Sequence, residues 1–272
     1  MSNTNQRIIS ALILVLIVGI SAYVGVNGIK VLLLVAGVLL VDEVTANLLK
    51  VKRNHVSYLL AITSFMLLFV LFNFIDVSYH YYNYFIHTGA AVNTLLIAYL
   101  FFEPMESKFI VTIMKKYSFF MGVFFLIPMS SMANLLIYKS WEWLILLMLL
   151  VNFLADTGAW FFGRKFGNKK LWSTISPKKT RVGALGGAFT SVVLSSFFIY
   201  FVFDKLNLLI ILSLLILAIF AQIGDLIESK LKRQVEVKDS SQLIPGHGGI
   251  YDRLDSLLFV APFYVMMVKY LL

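Results

Sequence analysis

Apolar runs and short polar segments alternate along the whole chain. The runs lie near residues 8–26, 31–46, 56–74, 84–102, 119–138, 143–162, 184–203, 208–223 and 254–272. As a helix, a run of roughly 20 apolar residues spans a hydrocarbon core of about 30 Å. A chain in lipid must satisfy its own backbone hydrogen bonds, and the short alternating segments of a membrane barrel do not occur. The pattern therefore predicts an all-α, polytopic integral membrane protein with about nine transmembrane helices. The second run is the weakest, because Asp42 and Glu43 interrupt it. The first opens at Ile8 behind MSNTNQR, which resembles the flank of a signal peptide. Its length and the lack of an Ala-x-Ala cleavage site predict an uncleaved span instead.

Composition agrees. The chain is 60% hydrophobic and 14% charged, with a mean hydropathy of +0.87, against roughly 45–50% apolar and about 25% charged in soluble domains. Its 272 residues suffice for these spans and short loops, without a separate soluble domain. We divide it into an N-terminal scaffold, residues 1–140, and a C-terminal catalytic region, residues 141–272. The absence of cysteine excludes disulfides, thiolate metal sites and cysteine nucleophiles. With nine spans, 19 of the 23 basic residues share one face, all but Lys30, Lys139, Lys205 and Lys269. The positive-inside rule puts that face, the N-terminus and the polar loops in the cytoplasm, and the C-terminus outside. The formal charge of +9 then reads as a surface for anionic lipid in a cell membrane, not for nucleic acid.

Two polar stretches carry candidate chemistry. The first, residues 155–183, reads ADTGAWFFGRKFGNKKLWSTISPKKTRVG. Asp156 lies in an otherwise apolar helix, where an unpaired carboxylate costs about 2.5–3.5 kcal/mol on insertion scales. It should face a wet cavity, or pair with a lysine from a neighbouring helix. Gly158, Gly163 and Gly167 suit close helix packing as well as ligand approach. Ser176, Pro177, Lys178, Lys179 and Thr180 form a donor-rich basic turn that suits a triphosphate, or else a solvated loop serving the positive-inside rule.

The second stretch runs from Gly224 to Ser256. On a helix Asp225, Glu228, Ser229 and Lys232 share one face, while Lys230 and Arg233 point elsewhere, towards lipid headgroups. Pro245, Gly246, His247, Gly248 and Gly249 form a loop, and Asp252, Asp255 and Ser256 open the last span on one face. Asp225, Asp252 and Asp255 suit a hard cation such as Mg²⁺, although Asp252 or Asp255 could instead cap a helix. Lys232, Arg233, Lys238 and Arg253 suit phosphates, and the glycines let backbone N–H groups approach an anion. His247 could be a general base, a phosphate donor or an orienting residue. His55, His80 and His87, with the aromatic residues around Tyr79 and Tyr84, read as interfacial packing.

The ordered set Ser229, Leu231, Lys232, Arg233, Lys238, Asp239, Ser241, Ile244, Pro245, His247, Gly248, Gly249, Ile250, Asp252, Arg253, Leu254 and Asp255 resembles the signature of the phosphatidate cytidylyltransferases. ADTGAWFFGRKFG and ISPKKT resemble the same family, so the likeness covers about the last 100 to 120 residues; upstream only hydropathy agrees. The resemblance implies a multi-span enzyme that joins CTP to phosphatidic acid, yielding CDP-diacylglycerol and pyrophosphate. Carried over residue by residue, it implies Asp225, Lys238, Asp239, His247, Asp252 and Arg253 as catalytic, and Asp225, Asp252 and Asp255 as ligands of Mg²⁺, with a second, monovalent cation left open. Asp156, Ser176, Lys178, Lys179, Thr180, Ser229, Lys232, Arg233, Gly248 and Gly249 would contact substrate. The family is often dimeric, but no interface signal here stands apart from ordinary helix packing. One departure is plain: the family continues Ser-Pro-x-Lys-Thr with Trp-Glu-Gly, whereas this chain has Arg181, Val182 and Gly183. That keeps open a related transferase acting on another lipid phosphate, or an inactive lipid-binding homologue.

Overall fold

The computed structural model describes residues 3–75 and 79–272, with side chains from 6 to 75 and from 81 onward, so Tyr79 and His80 as interfacial side chains lie outside the described residues. The helices are α1 (Asn3–Val24), α2 (Val26–Asp42), α3 (Val56–Val70), α4 (Tyr79–Phe102), α5 (Phe109–Lys116), α6 (Met121–Asn134), α7 (Trp141–Phe166), α8 (Arg181–Phe203), α9 (Leu208–Gln234) and α10 (Tyr251–Leu271). Among the described residues, eight helical stretches are long and apolar enough to cross a membrane. The 17-residue α2 continues directly into a π-helical stretch, Glu43–Leu48, so the helix runs on through Asp42 and Glu43, which interrupt the second apolar run. Between α7 and α8 a small antiparallel hairpin, β1 (Lys170–Trp172) and β2 (Ser176–Thr180), replaces the expected loop.

Small residues let these helices approach closely. A Cβ on Gly158 would lie 2.6 Å from Thr190 Oγ1, and one on Gly187 would overlap the Ala155 carbonyl and sit 3.0 Å from Ala159 Cβ. Ser191 Oγ donates to Val151 O at 2.8 Å across the same α7–α8 seam. One apolar core draws Leu40, Phe65, Phe125, Leu147, Leu217 and Val260 from both halves of the chain.

Polar side chains tie helix ends together. Arg53 Nε and Nη2 grip Asp42 Oδ1 and Oδ2 at 2.7 and 2.9 Å, and Tyr58 OH donates to Oδ1 at 2.6 Å, which closes the turn from α2 to α3. Lys230 does not reach headgroups as expected. It is 1% exposed, and its ammonium donates to Tyr99 O, Leu100 O and Glu103 O at 2.7, 3.1 and 2.6 Å. A helix leaves its last carbonyls without intrahelical partners, and a cation there also meets the negative end of the dipole. At the opposite end of the bundle Lys205 donates to Leu272 O and Lys269 to Asn83 Oδ1.

The Pro245–Gly249 loop rests on α1. Arg7 Nε donates to Gly246 O at 3.1 Å, and Ser10 Oγ lies 2.8 Å from His247 Nδ1 and 2.9 Å from Pro245 O. Gly246 and Gly248 take φ of +76° and +87°, which a side chain would resist. Burial first, then the neighbouring Arg253 and Arg7 charges, lower the His247 pKa, whereas its hydrogen bond with Pro245 opposes the shift.

Two outcomes are expected. Gly187→Leu overpacks the α7–α8 seam and lowers stability by about 1–3 kcal/mol, read as a lower melting temperature in detergent; Gly19→Leu, where a Cβ meets nothing within 4 Å, leaves it unchanged. Because the folded loop favours neutral His247, the part of the protection of the Ile244–Gly249 amides that this side chain contributes is full above the unfolded pKa of about 6.5 and is lost as pH falls through the lowered folded value. Hydrogen exchange across that range checks this, and His247→Gln should flatten the dependence.

Candidate active site

The C-terminal ends of α7 and α9, the N-terminal ends of α8 and α10, and the hairpin enclose two adjoining cavities. The larger, about 470 Å³, is basic: Arg164, Lys170, Lys178 and Lys179 line it with Thr180, Gln222 and Trp160. The smaller, about 230 Å³, is acidic: Asp156, Asp225, Glu228, Asp239, Asp252 and Asp255 line it, against Lys232 and Arg253. Asp156 and Asp225 border both.

The hairpin places its lysines by strand alternation. Lys179 turns inward and pairs with Asp225 Oδ2 at 2.5 Å, linking β2 to α9, while Lys178 is exposed at the cavity rim. Thr180 is buried and caps α8, accepting from Gly183 N at 3.1 Å. Gly163, Gly167 and Gly183 all crowd its hydroxyl, so close packing around this cap explains those glycines. Ser176, Arg181 and Val182 line neither cavity.

On α9 the predicted face forms. Ser229 Oγ donates to Asp225 Oδ1 at 3.2 Å, and Lys232 Nζ bridges Glu228 Oε2 at 2.7 Å and Asp252 Oδ1 at 2.6 Å, joining α9 to α10. One carboxylate oxygen from each of Asp225, Glu228 and Asp255 lies within 4.8 Å of the others. Glu228 is 2% exposed, and its Oε1 has no hydrogen-bond partner. A buried anion needs a counter-charge. Six acids facing two bases leave this cavity with excess negative charge even after Lys179 is added, and an oxygen-only donor set suits a hard cation such as Mg²⁺. Glu228, read from sequence only as a member of the α9 face, is thus the third member of the cluster.

Asp252 is otherwise engaged. Besides Lys232, it accepts from Ser240 N at 3.0 Å, Ser240 Oγ at 2.8 Å and Gly249 N at 2.8 Å. Glu43, also 2% exposed, reaches in from the π-helical stretch and accepts from Ile250 N at 2.8 Å, Tyr251 N at 3.2 Å, Ser241 Oγ at 3.1 Å and Ser240 Oγ. Of the glycine amides that the sequence offers to a substrate anion, Gly249 N is taken by Asp252 and Gly248 N by Ile244 O at 3.1 Å, while Glu43 takes the Ile250 and Tyr251 amides at the positive end of α10. A Cβ on Gly249 would overlap Glu43 and Ser240, so this loop needs glycine there. The signal for Glu43 was its position in an apolar run.

Of the remaining candidates, Asp239 and Arg253 line the acidic cavity, and Lys238 is exposed outside it. Arg233 donates to Val237 O at 2.9 Å, Arg253 Nε donates to His247 O at 3.1 Å, and His247 sits in the α1 contact.

The model of the cytidylyltransferase family matches residues 5–271. The chain is also similar to phosphatidate cytidylyltransferases of Staphylococcus aureus (strain COL) and Staphylococcus haemolyticus (strain JCSC1435), 50% identical over 119 residues, and to that of Staphylococcus epidermidis (strain ATCC 35984), 47% identical over the same length. Each match covers 43% of this chain and 46% of the relative, so it spans less than half of either protein. The family match, by contrast, takes in α1 through α10 and both cavities: the chain belongs to the cytidylyltransferase family of nucleotidyl-transferring enzymes.

Proposed function

We propose that the chain transfers CMP from CTP to phosphatidic acid, giving CDP-diacylglycerol and pyrophosphate. The observation that carries this reading is the joining of a basic and an acidic cavity at Asp156 and Asp225, at the ends of apolar helices. The basic cavity suits the triphosphate: Lys178, Lys179, Lys170 and Arg164 would hold its phosphates, and Lys179 is already steered by Asp225. A lipid phosphate oxygen forms the new bond to the α-phosphorus while the α–β phosphoanhydride bond breaks, and its electron pair leaves with pyrophosphate. The nucleophile is already anionic and needs little help from a base, so positioning and charge carry the catalysis. Mg²⁺, held by Asp225, Glu228 and Asp255, would supply positive charge against the phosphate oxygens. The remaining carboxylate excess suits a second, monovalent cation. Asp252, with Lys232, positions α10 and the Ser240–Gly249 loop, and Glu43 fixes the same loop from the N-terminal half.

Arg181 and Val182 depart from the family pattern but line neither cavity, which favours phosphatidic acid over another lipid phosphate. We place the cavities on the cytoplasmic side, where the basic loops lie and CTP is available.

Purified protein in liposomes with phosphatidic acid, CTP and Mg²⁺ should release pyrophosphate and form CDP-lipid. Asp225→Asn should lose at least about 100-fold in turnover while remaining folded in the membrane; normal turnover in that variant would remove Asp225 from the site. Lys179→Met should raise the KM for CTP by about ten-fold, roughly 1.4 kcal/mol, and an unchanged KM would take the hairpin out of nucleotide binding. Accessibility labelling in cells should reach a cysteine introduced at Lys178 only from the cytoplasm; labelling from outside would reverse the orientation.

A further inference from the structure

Behind the acidic cavity lies a second space of about 230 Å³, enclosed by α4, α5, α6, α9 and α10. Asp255 lines both, so the two adjoin at that side chain. The walls are otherwise almost wholly apolar. Beside Asp255, the polar groups are Asn93, whose Nδ2 is spent on Phe259 O at 2.6 Å, and the tyrosines Tyr99 and Tyr251, of which Tyr99 donates its hydroxyl to Gln234 Oε1 at 2.5 Å. Such a space does not hold water well: an engineered apolar cavity of roughly 150 Å³ stays dry and takes benzene.

Its dimensions and orientation narrow the occupant. Along α10 the wall runs from Tyr251 past Asp255 and Phe259 to Pro262, eleven positions, or about 16 Å at 1.5 Å per residue. That is about half of a hydrocarbon core of roughly 30 Å, the depth of one leaflet. The deep end is shut where Gly89 packs on Pro262 and Ile127: a Cβ on Gly89 would lie 2.5 Å from Pro262 Cγ. The shallow end is roofed by α5, which turns Ile110, Ile113 and Met114 to the cavity and leaves Lys115 and Lys116 exposed. No residue of α5 is buried, so it lies on the bundle like an interfacial amphipathic helix.

We propose that this cavity holds one acyl chain of the lipid substrate, threaded beneath α5 to mid-membrane depth, with the lipid phosphate delivered past Asp255 to the acidic cavity. The inference rests on the lipid-phosphate reading above. It assigns α4, α5 and α6, outside the C-terminal motifs, to substrate recognition, with α5 as the element under which the chain enters.

Val92 lines the wall on α4, and Val92→Phe narrows the cavity without touching the phosphate-binding residues. For turnover in mixed micelles, the variant should raise KM for dioleoyl phosphatidate at least ten-fold, with KM for CTP and the rate with dihexanoyl phosphatidate within two-fold of wild type. Equal losses on both lipids, or none on either, would overturn the proposal. A second measurement uses wild-type protein and a phosphatidate carrying a mid-chain diazirine. Photolabel on cavity residues such as Val92, Leu96 and Phe259 is expected, competed by dioleoyl phosphatidate; label confined to outward residues such as Leu95 would overturn it. Labelling needs neither the variant nor turnover. An inactive wild type would therefore sink the phosphatidate reaction and still decide whether the cavity takes an acyl chain.

Discussion

Everything at this site depends on holding carboxylates together at the edge of an apolar bundle, where each is costly alone. Lys232 meets part of that cost by standing between Glu228 and Asp252, which also locks α9 to α10. Lys179 meets another part through Asp225 and so brings the hairpin over the cavity. What these cations leave uncompensated, above all Glu228 Oε1 and the Asp225–Glu228–Asp255 cluster, is acidic surface that suits a cation and is built from the same residues that shape the fold. Removing one partner from such an arrangement strands the others, so its members are coupled in stability as well as in chemistry.

The loop after α9 shows a second use of the same charge. Asp252 and Glu43 gather the amides of Ser240, Gly249, Ile250 and Tyr251, and glycine at 249 leaves the room that the Glu43 carboxylate and the Ser240 hydroxyl occupy. The N-terminal helices thereby act on the site directly. Glu43 comes from the continuation of α2, and Arg7 and Ser10 of α1 hold the far side of the same loop.

Much of this was legible in the sequence. Hydropathy alone marked the long helices, because lipid leaves the backbone no other solution, but not the short α5. Helical spacing put Asp225, Glu228, Ser229 and Lys232 on one face, and they do converge. What spacing could not show is which partner each acid takes. Asp252 and Asp255 lie three residues apart on α10, yet one binds Lys232 and the loop while the other faces the Asp225–Glu228 cluster. That division depends on the approach of α9, a tertiary fact. Lys230 was misread for the same reason: its partners are the final carbonyls of α4, some 130 residues away. Glu43 is different. The rule that an acid in an apolar run is a functional candidate singles out Asp156 and applies equally to Glu43, but the latter read only as an interruption of the second run, through which the helix in fact continues as a π-helix.

The central claim is that the acidic cavity is a cation site formed by Asp225, Glu228 and Asp255. Crystals grown with Mn²⁺ in place of Mg²⁺ test it most directly through anomalous scattering. The account predicts an anomalous peak within ligating distance of those three carboxylates, lost in Asp225→Asn. A peak confined to other residues, or none at a Mn²⁺ concentration that supports turnover, would contradict it.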